Sequence, residues 1–133
     1  MDDIQAITAK LDRASALMFA RDIAIVDELW SDGFQLVGSE EGEIAVTHDQ
    51  LVLLVTTLFA APFRLRWDWN DKSLTIENDI AWVFAQGHLE FVYDDHIDRV
   101  SYRLVAIFRR ASSDWQWRLY SGSEPEPRRA FRS

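Results

Sequence analysis

Two apolar runs in the last third of the chain, Ile80 to Tyr93 and Val100 to Arg110, constrain the fold more than any other feature. A third segment, Trp115 to Pro125 (WQWRLYSGSEP), follows them. All three are rich in β-branched and aromatic residues, which fit a pleated surface. The two runs are apolar at both odd and even positions, so both sheet faces are expected to be covered. With helical patterns in front of it, such a sheet is expected to curl around a pocket.

Residues 3–20 place Ile4, Ile7, Leu11, Ala14 and Met18 at helical spacing. Asp2 and Asp3 suit the positive end of that helix dipole. A short second helix follows, with Asp22 as its cap, Ile23, Val26 and Trp30 on one face, and Gly33 as its stop. Residues 34–38 read as a strand, 39–43 as a turn and 44–46 as a return strand. Thr47 and Gln50 have the spacing of a capping box opening a third helix, with Leu51, Leu54, Val55 and Leu58 on its buried side. Pro62 ends it. Four long strands then follow: Phe63–Ile76 with a bulge at Asn70-Asp71, Ile80–Tyr93, Ile97–Arg110 and Trp115–Ser123. The order α-α-β-β-α-β-β-β-β is an α+β pattern in one domain, residues 1–125, with 126–133 as a C-terminal tail.

The 133 residues suffice for one core, and 48% hydrophobic with 27% charged is the balance of a globular chain. The formal charge of −8 argues against nucleic acid and acidic membranes as partners. The one basic cluster, Arg128, Arg129 and Arg132, reads as a solvated terminus. Cysteine is absent, which removes disulfides, thiolate metal sites and a cysteine nucleophile, and cytoplasm is the expected compartment. No stretch is long enough to span a membrane, and residues 1–20 read as an amphipathic helix rather than a signal peptide. His48, His88 and His96 have no metal-ligand spacing, and there is no glycine-rich phosphate loop or nucleophile elbow. Neither metal nor cofactor is expected.

Several segments carry a resemblance: Arg21-Asp22-Ile23, Asp32-Gly33-Phe34 with Val37-Gly38-Ser39, Asp79 to Val83, Tyr102-Arg103-Leu104, and Trp115 to Leu119 leading to Gly122-Ser123-Glu124-Pro125. Their order and spacing resemble the SnoaL-like branch of the NTF2-like superfamily over roughly residues 3–125. The resemblance implies a cone, in which a curved antiparallel sheet wraps against three helices and a ligand cavity opens at one end. It also implies a homodimer through the outer sheet face. Members include ketosteroid isomerase, scytalone dehydratase, polyketide cyclases, ring-hydroxylating dioxygenase small subunits and non-catalytic binding modules, so fold does not settle function. Related chains often carry a histidine where this one has Ser121.

Within that frame the candidates are few. Arg103 in mid-strand calls for an acid, a carbonyl or a ligand, and is an anion-anchor candidate. His88 shares a face with Gln86 and Glu90 and is the general-base candidate. A two-residue loop at Asp95-His96 would pair it with Arg103. Trp30, Trp67, Trp69, Trp82 and Trp117, with Ser121, are the candidate lining of an aromatic cavity. Asp68 alternates away from Trp67 and Trp69 and reads as solvent-facing. Tyr102 and Tyr120 are weighed as oxyanion donors without a recognisable partner, and Glu124 as a rim residue. The expected ligand is a small, largely apolar organic molecule. The expected chemistry, where there is any, is cofactor-independent proton transfer beside a carbonyl: isomerisation, dehydration or cyclisation. The alternatives are a ligand-sensing or protein-interaction module, and a subunit of a larger oxygenase.

Overall fold

A computed structural model describes residues 2–127; the tail arginines 128, 129 and 132 lie outside the described residues. Helix α1 (Asp3–Ala20) begins at a reciprocal capping box: Asp2 Oδ1 accepts from the Gln5 amide at 2.8 Å and Gln5 Oε1 from the Asp2 amide at 3.2 Å. Its Ile7, Leu11, Ala14, Leu17 and Met18 stripe is buried. Helix α1 ends at Arg21 in the left-handed region (φ 53°), where the Arg21 guanidinium donates to the Ala61 and Phe63 carbonyls at 2.8 and 2.9 Å. Helix α2 (Ala24–Leu29) follows, with Asp22 accepting from the Ala24 amide at 2.9 Å.

Strands β1 (Gln35–Val37) and β2 (Ile44–Ala45) form a short hairpin before α3 (His48–Phe59). Only half of the capping box expected at α3 forms. Thr47 accepts from the Gln50 amide at 3.1 Å, but the Gln50 side chain reaches the amide of Val46 at 2.8 Å. Strands β3 (Arg64–Glu77), β4 (Ile80–Val92), β5 (Ile97–Ala111) and β6 (Asp114–Ser123) complete a curved, unclosed sheet in the order β2-β1-β6-β5-β4-β3. All pairings are antiparallel except β1 with β6, which is parallel. The expected bulge lies at Asn70, between the Trp69–Gly87 and Asp71–Gln86 pairs. Gly87 is required there: a Cβ at 87 would strike the Asp68 carbonyl and the Trp69 backbone. No helix among the described residues is long and apolar enough to cross a membrane.

The three helices cover one sheet face only. Inward-facing Ala81, Val83, Ala85, Leu104, Ala106 and Phe108 are buried, while Trp82, Phe84 and Val105 on the other face are 38%, 41% and 43% exposed. The expectation that both faces are covered is therefore met on the inner face and not, within one chain, on the outer. The inner face of the first half of β4 carries the smaller Ala81, Val83 and Ala85, and the large aromatics Trp82 and Phe84 lie outside.

Strand register corrects a second expectation. The β4–β5 loop runs from residue 93 to residue 96, since Val92 pairs with Ile97. The Tyr93 amide donates to the His96 carbonyl at 2.9 Å, and the two rings stack at 4.4 Å. His88 consequently pairs with Ser101, and Arg103 with Gln86.

Candidate functional site

A cavity of about 280 Å³ opens between the helices and the inner sheet face. Its walls are apolar: Met18 from α1, Ile25 and Leu29 from α2, Leu54, Val55 and Leu58 from α3, and Leu65, Leu89 and Phe91 from the sheet. Phe63 stands at its edge, ring centroid 5.1 Å from Phe91. Its polar groups are Ser39, Glu40, Glu43, Trp67, Tyr102, Tyr120 and Glu124. That composition, apolar with a few convergent polar groups, is characteristic of a small-molecule site.

Tyr102 and Tyr120 form the inner end. They are 4% and 7% exposed, and their hydroxyls lie 2.6 Å apart. The pair carries two phenolic protons, of which the mutual bond uses one; the second O–H has no acceptor among the described residues. Burial pushes the Tyr102 phenol up to about 12; its hydrogen bond to Tyr120 opposes that rise and the Glu43 charge adds to it. Burial also holds Tyr120 well above the ordinary phenol range, with Tyr102 as the next contributor. The Trp67 indole N–H lies close enough to lower both phenols, yet its geometry completes a hydrogen bond with neither and Nε1 is buried without a partner.

The carboxylates come from two loops. Glu43 ends the β1–β2 turn, is half-buried and accepts from the Glu40 amide at 2.8 Å. Burial raises its pKa; the Glu40 amide works against that, and repulsion from Glu40 and Glu124 adds to it. Glu124 follows β6 and accepts from the Ser39 hydroxyl at 2.5 Å.

Two glycines make room for these groups. A Cβ on Gly38 would come within 2.6 Å of the Glu43 carboxyl, and a Cβ on Gly122 would collide with the Tyr102 hydroxyl. The parallel pairing of Val37 with Ser121 sets the two glycines side by side on neighbouring strands. They form a shelf that seats an acid beside a phenol.

Of the base, anchor and wall candidates named from the sequence, Trp67 alone lines this cavity; Tyr102 and Tyr120, weighed there as oxyanion donors, and Glu124, weighed as a rim residue, line it as well. His88 and Arg103 are placed elsewhere, which corrects their assignment as base and anchor there. They lie on the outer face, in a shallow cleft with Gln86 and Ser101. Buried Ala85, Leu89 and Leu104 take the inward positions of the same strands, so parity sends residues 88 and 103 outward. His88 Nδ1 is buried without a partner, and Arg103 is exposed and makes no ion pair with a described residue. Trp82 and Ser121 also lie on the outer face, because their partners Ile107 and Val105 do. Trp30 packs edge-on against Phe34 and His48, outside the cavity. Trp117 is core, 4.5 Å from Phe108. Trp69 leans on Tyr102 at 6.2 Å, behind the cavity wall. Asp68 faces solvent and pairs with Arg99 at 2.9 Å.

Sequence patterns did not single out Glu43 as a cavity residue and gave the two tyrosines no partner. The available signal was the glycine on either side, at 38 and 122, next to strands that otherwise carry side chains on both faces.

The sequence profile of the SnoaL-like domain family matches residues 7–127. Among curated proteins, none matches this chain. Solved structures of similar fold include an NTF2-like protein with a cystatin-like fold from Novosphingobium aromaticivorans (TM-score 0.77, 16% identity, covering 92% of this chain and 81% of that one). A provisionally assigned aromatic ring hydroxylase from the same organism superposes at TM-score 0.80 with 22% identity, covering 94% and 90% of the two chains. A provisionally assigned dehydratase of the NTF2-like family from Streptomyces avermitilis gives 0.78 and 12%, covering 94% and 98%.

Proposed function

The chain belongs to the SnoaL-like domain family, and from that premise we propose that it binds a small, largely apolar carbonyl compound in its cavity and moves a proton beside the carbonyl. The observation that carries this reading is the placement of a carboxyl with raised proton affinity and a buried phenol pair on one glycine shelf, in an otherwise apolar cavity. Glu43 takes the proton from the carbon next to the carbonyl. The phenol whose O–H the Tyr102–Tyr120 bond leaves free donates to the oxygen as charge develops on it, with the other phenol donating to that hydroxyl, a role worth most where water is excluded. Glu43 then returns the proton to a different carbon, giving isomerisation, or the enolate expels a leaving group or closes a ring. No cofactor takes part in that sequence. The relatives' assignments as dehydratase and ring hydroxylase differ in chemistry, so they support the cavity more than any one reaction.

The test is solvent-deuterium exchange at the α-carbon of a small cyclic ketone, 2-tetralone, followed by mass spectrometry. The wild-type protein accelerates exchange, and Glu43→Gln removes the acceleration while the ketone still binds. Exchange that survives in Glu43→Gln sinks the mechanism. Binding with no exchange in the wild type moves the protein to a second reading, a ligand-sensing or interaction module. That reading has its own support in the uncovered outer belt of Ile80, Trp82, Phe84 and Val105, with half-buried Ile107 and Leu119 beside it. We take the belt to be the surface through which two copies pair. Under native mass spectrometry the wild type is then a dimer and Trp82→Glu a monomer; a wild-type monomer ends that proposal.

A further inference from the structure

The charged groups of the cavity have one sign. Among the described residues Glu40, Glu43 and Glu124 line it, and no Lys, Arg or His does. A cavity for an anionic ligand would carry the opposite charge, and Arg103, the sequence's candidate for that task, faces away from it. Two of the three acids are half-buried and close enough to repel each other, and the whole chain carries a net charge of −8, which draws cations toward it. Beside the acids stand the rings of Trp67, Tyr102 and Tyr120, with Trp67 and Tyr120 edge-on at 6.1 Å. Aromatic faces next to carboxylates are the surroundings that favour an ammonium group, which gains from ring quadrupole and charge together. A second observation, independent of the acids, shows that the inner end also waits for a ligand atom. One buried phenolic O–H of the Tyr102–Tyr120 pair has no acceptor among the described residues.

From this arrangement we infer that the ligand is a hydrophobic amine with two polar ends. A protonated nitrogen lies among Glu43, Glu124 and Glu40 toward the mouth, and an oxygen acceptor lies against the Tyr102–Tyr120 pair. This deepens the proposed function by naming the charge its ligand carries, and rests on the same cavity. Amine binding removes the repulsion between Glu43 and Glu124, so the ligand and the acids stabilise one another. Carboxylate ligands of the same shape are rejected, because they would add a fourth negative charge in a space where no described residue supplies a cation.

Three probes of one shape test it: 4-phenylbutylamine, 4-phenylbutan-1-ol and 4-phenylbutyrate, titrated by calorimetry at pH 7 and low salt. The expected order is amine first, alcohol at least tenfold weaker, and carboxylate weakest. In Glu43→Gln/Glu124→Gln the amine's advantage over the alcohol collapses toward parity. Should the double variant not fold, Glu124→Gln alone keeps the test, with a smaller fall in the same ratio. Equal binding of amine and alcohol, tighter binding of the carboxylate, or an amine advantage that survives the folded variants each overturns the inference. Ketone exchange in a protein that shows no amine preference leaves the proton-transfer reading standing while the ammonium falls. If neither probe nor ketone binds, both fall.

Discussion

On the outer face of the sheet, Arg66 donates to Glu90 at 2.6 Å, and Arg99 bridges Glu90 and Asp68 at 2.7 and 2.9 Å. On the inner face, Glu43 and Glu124 have no basic partner among the described residues, and two phenols partner only each other. The charges carried by the long strands on the outer face are thus neutralised within the fold, while the two loop carboxylates over the inner face have no basic partner among the described residues. Burial sharpens the contrast. Glu43 and Glu124 are half-buried and each accepts one hydrogen bond, from the Glu40 amide and the Ser39 hydroxyl, in place of an ion pair.

The largest effect that could break this comparison is on turnover. Glu43→Gln should lower ketone α-exchange by about 10²-fold or more, the usual scale of a positioned general base. A fall below about threefold would make Glu43 a bystander. Next in size is the shelf. Gly122→Ala pushes the Tyr102 hydroxyl aside and should cost about 1–3 kcal/mol in urea unfolding, as overpacking does, and should weaken ketone binding as well. Stability lost with binding intact would separate the tyrosine pair from the ligand.

The tyrosines give a pH signature. Their folded pKa values lie above the unfolded value, so the neutral phenols contribute stability that is complete below about pH 10. It is lost as pH rises through the folded value, about 12 for Tyr102. Thermal melts of Tyr102→Phe/Tyr120→Phe between pH 9 and 12 should therefore show a flatter alkaline decline than wild type. The smallest effect belongs to the outer face. Arg66 and Arg99 hold the Glu90 carboxyl below its ordinary pKa, Arg66 by the larger share. Glu90→Gln should cost on the order of 1 kcal/mol near pH 7, in the range of partly exposed ion pairs. That difference should fade as pH drops through the carboxylate range, since a lowered pKa stabilises only above it. A larger penalty than that of Gly122→Ala would reverse the ranking of the two faces.

The fold was legible in the sequence because its determinants are local. The stripe from Ile7 to Met18, the long β-branched and aromatic runs of the strands and the bulge at Asn70 can each be read within a dozen residues. The site was not, for two physical reasons. Strands apolar at every position do not reveal parity, and here parity runs against size: Ala81, Val83 and Ala85 face the core while Trp82 and Phe84 face out. His88 and Arg103 followed the large aromatics to the wrong face. The second reason is that Glu43 acquires its role from a turn folded against Gly38, far from the strands that supply Tyr102 and Tyr120. Nothing in the local pattern of 39–43 distinguishes such a turn from a solvated one.

The parallel pairing of β1 with β6 also fixes an order in time. Glu43 is made early in synthesis, yet its neighbours Tyr120, Gly122 and Glu124 are made more than seventy residues later. Strand β1 has no partner but the two-residue β2 until β6 emerges. The helices and the hairpin of β3 with β4 can assemble from near neighbours, but the last step must join distant parts of the chain, and such contacts form slowly. A nascent chain halted before Tyr120 would hold most of the core and no acid-phenol pair. The inner end of the cavity is therefore completed last, as a property of the finished strand rather than of the growing domain.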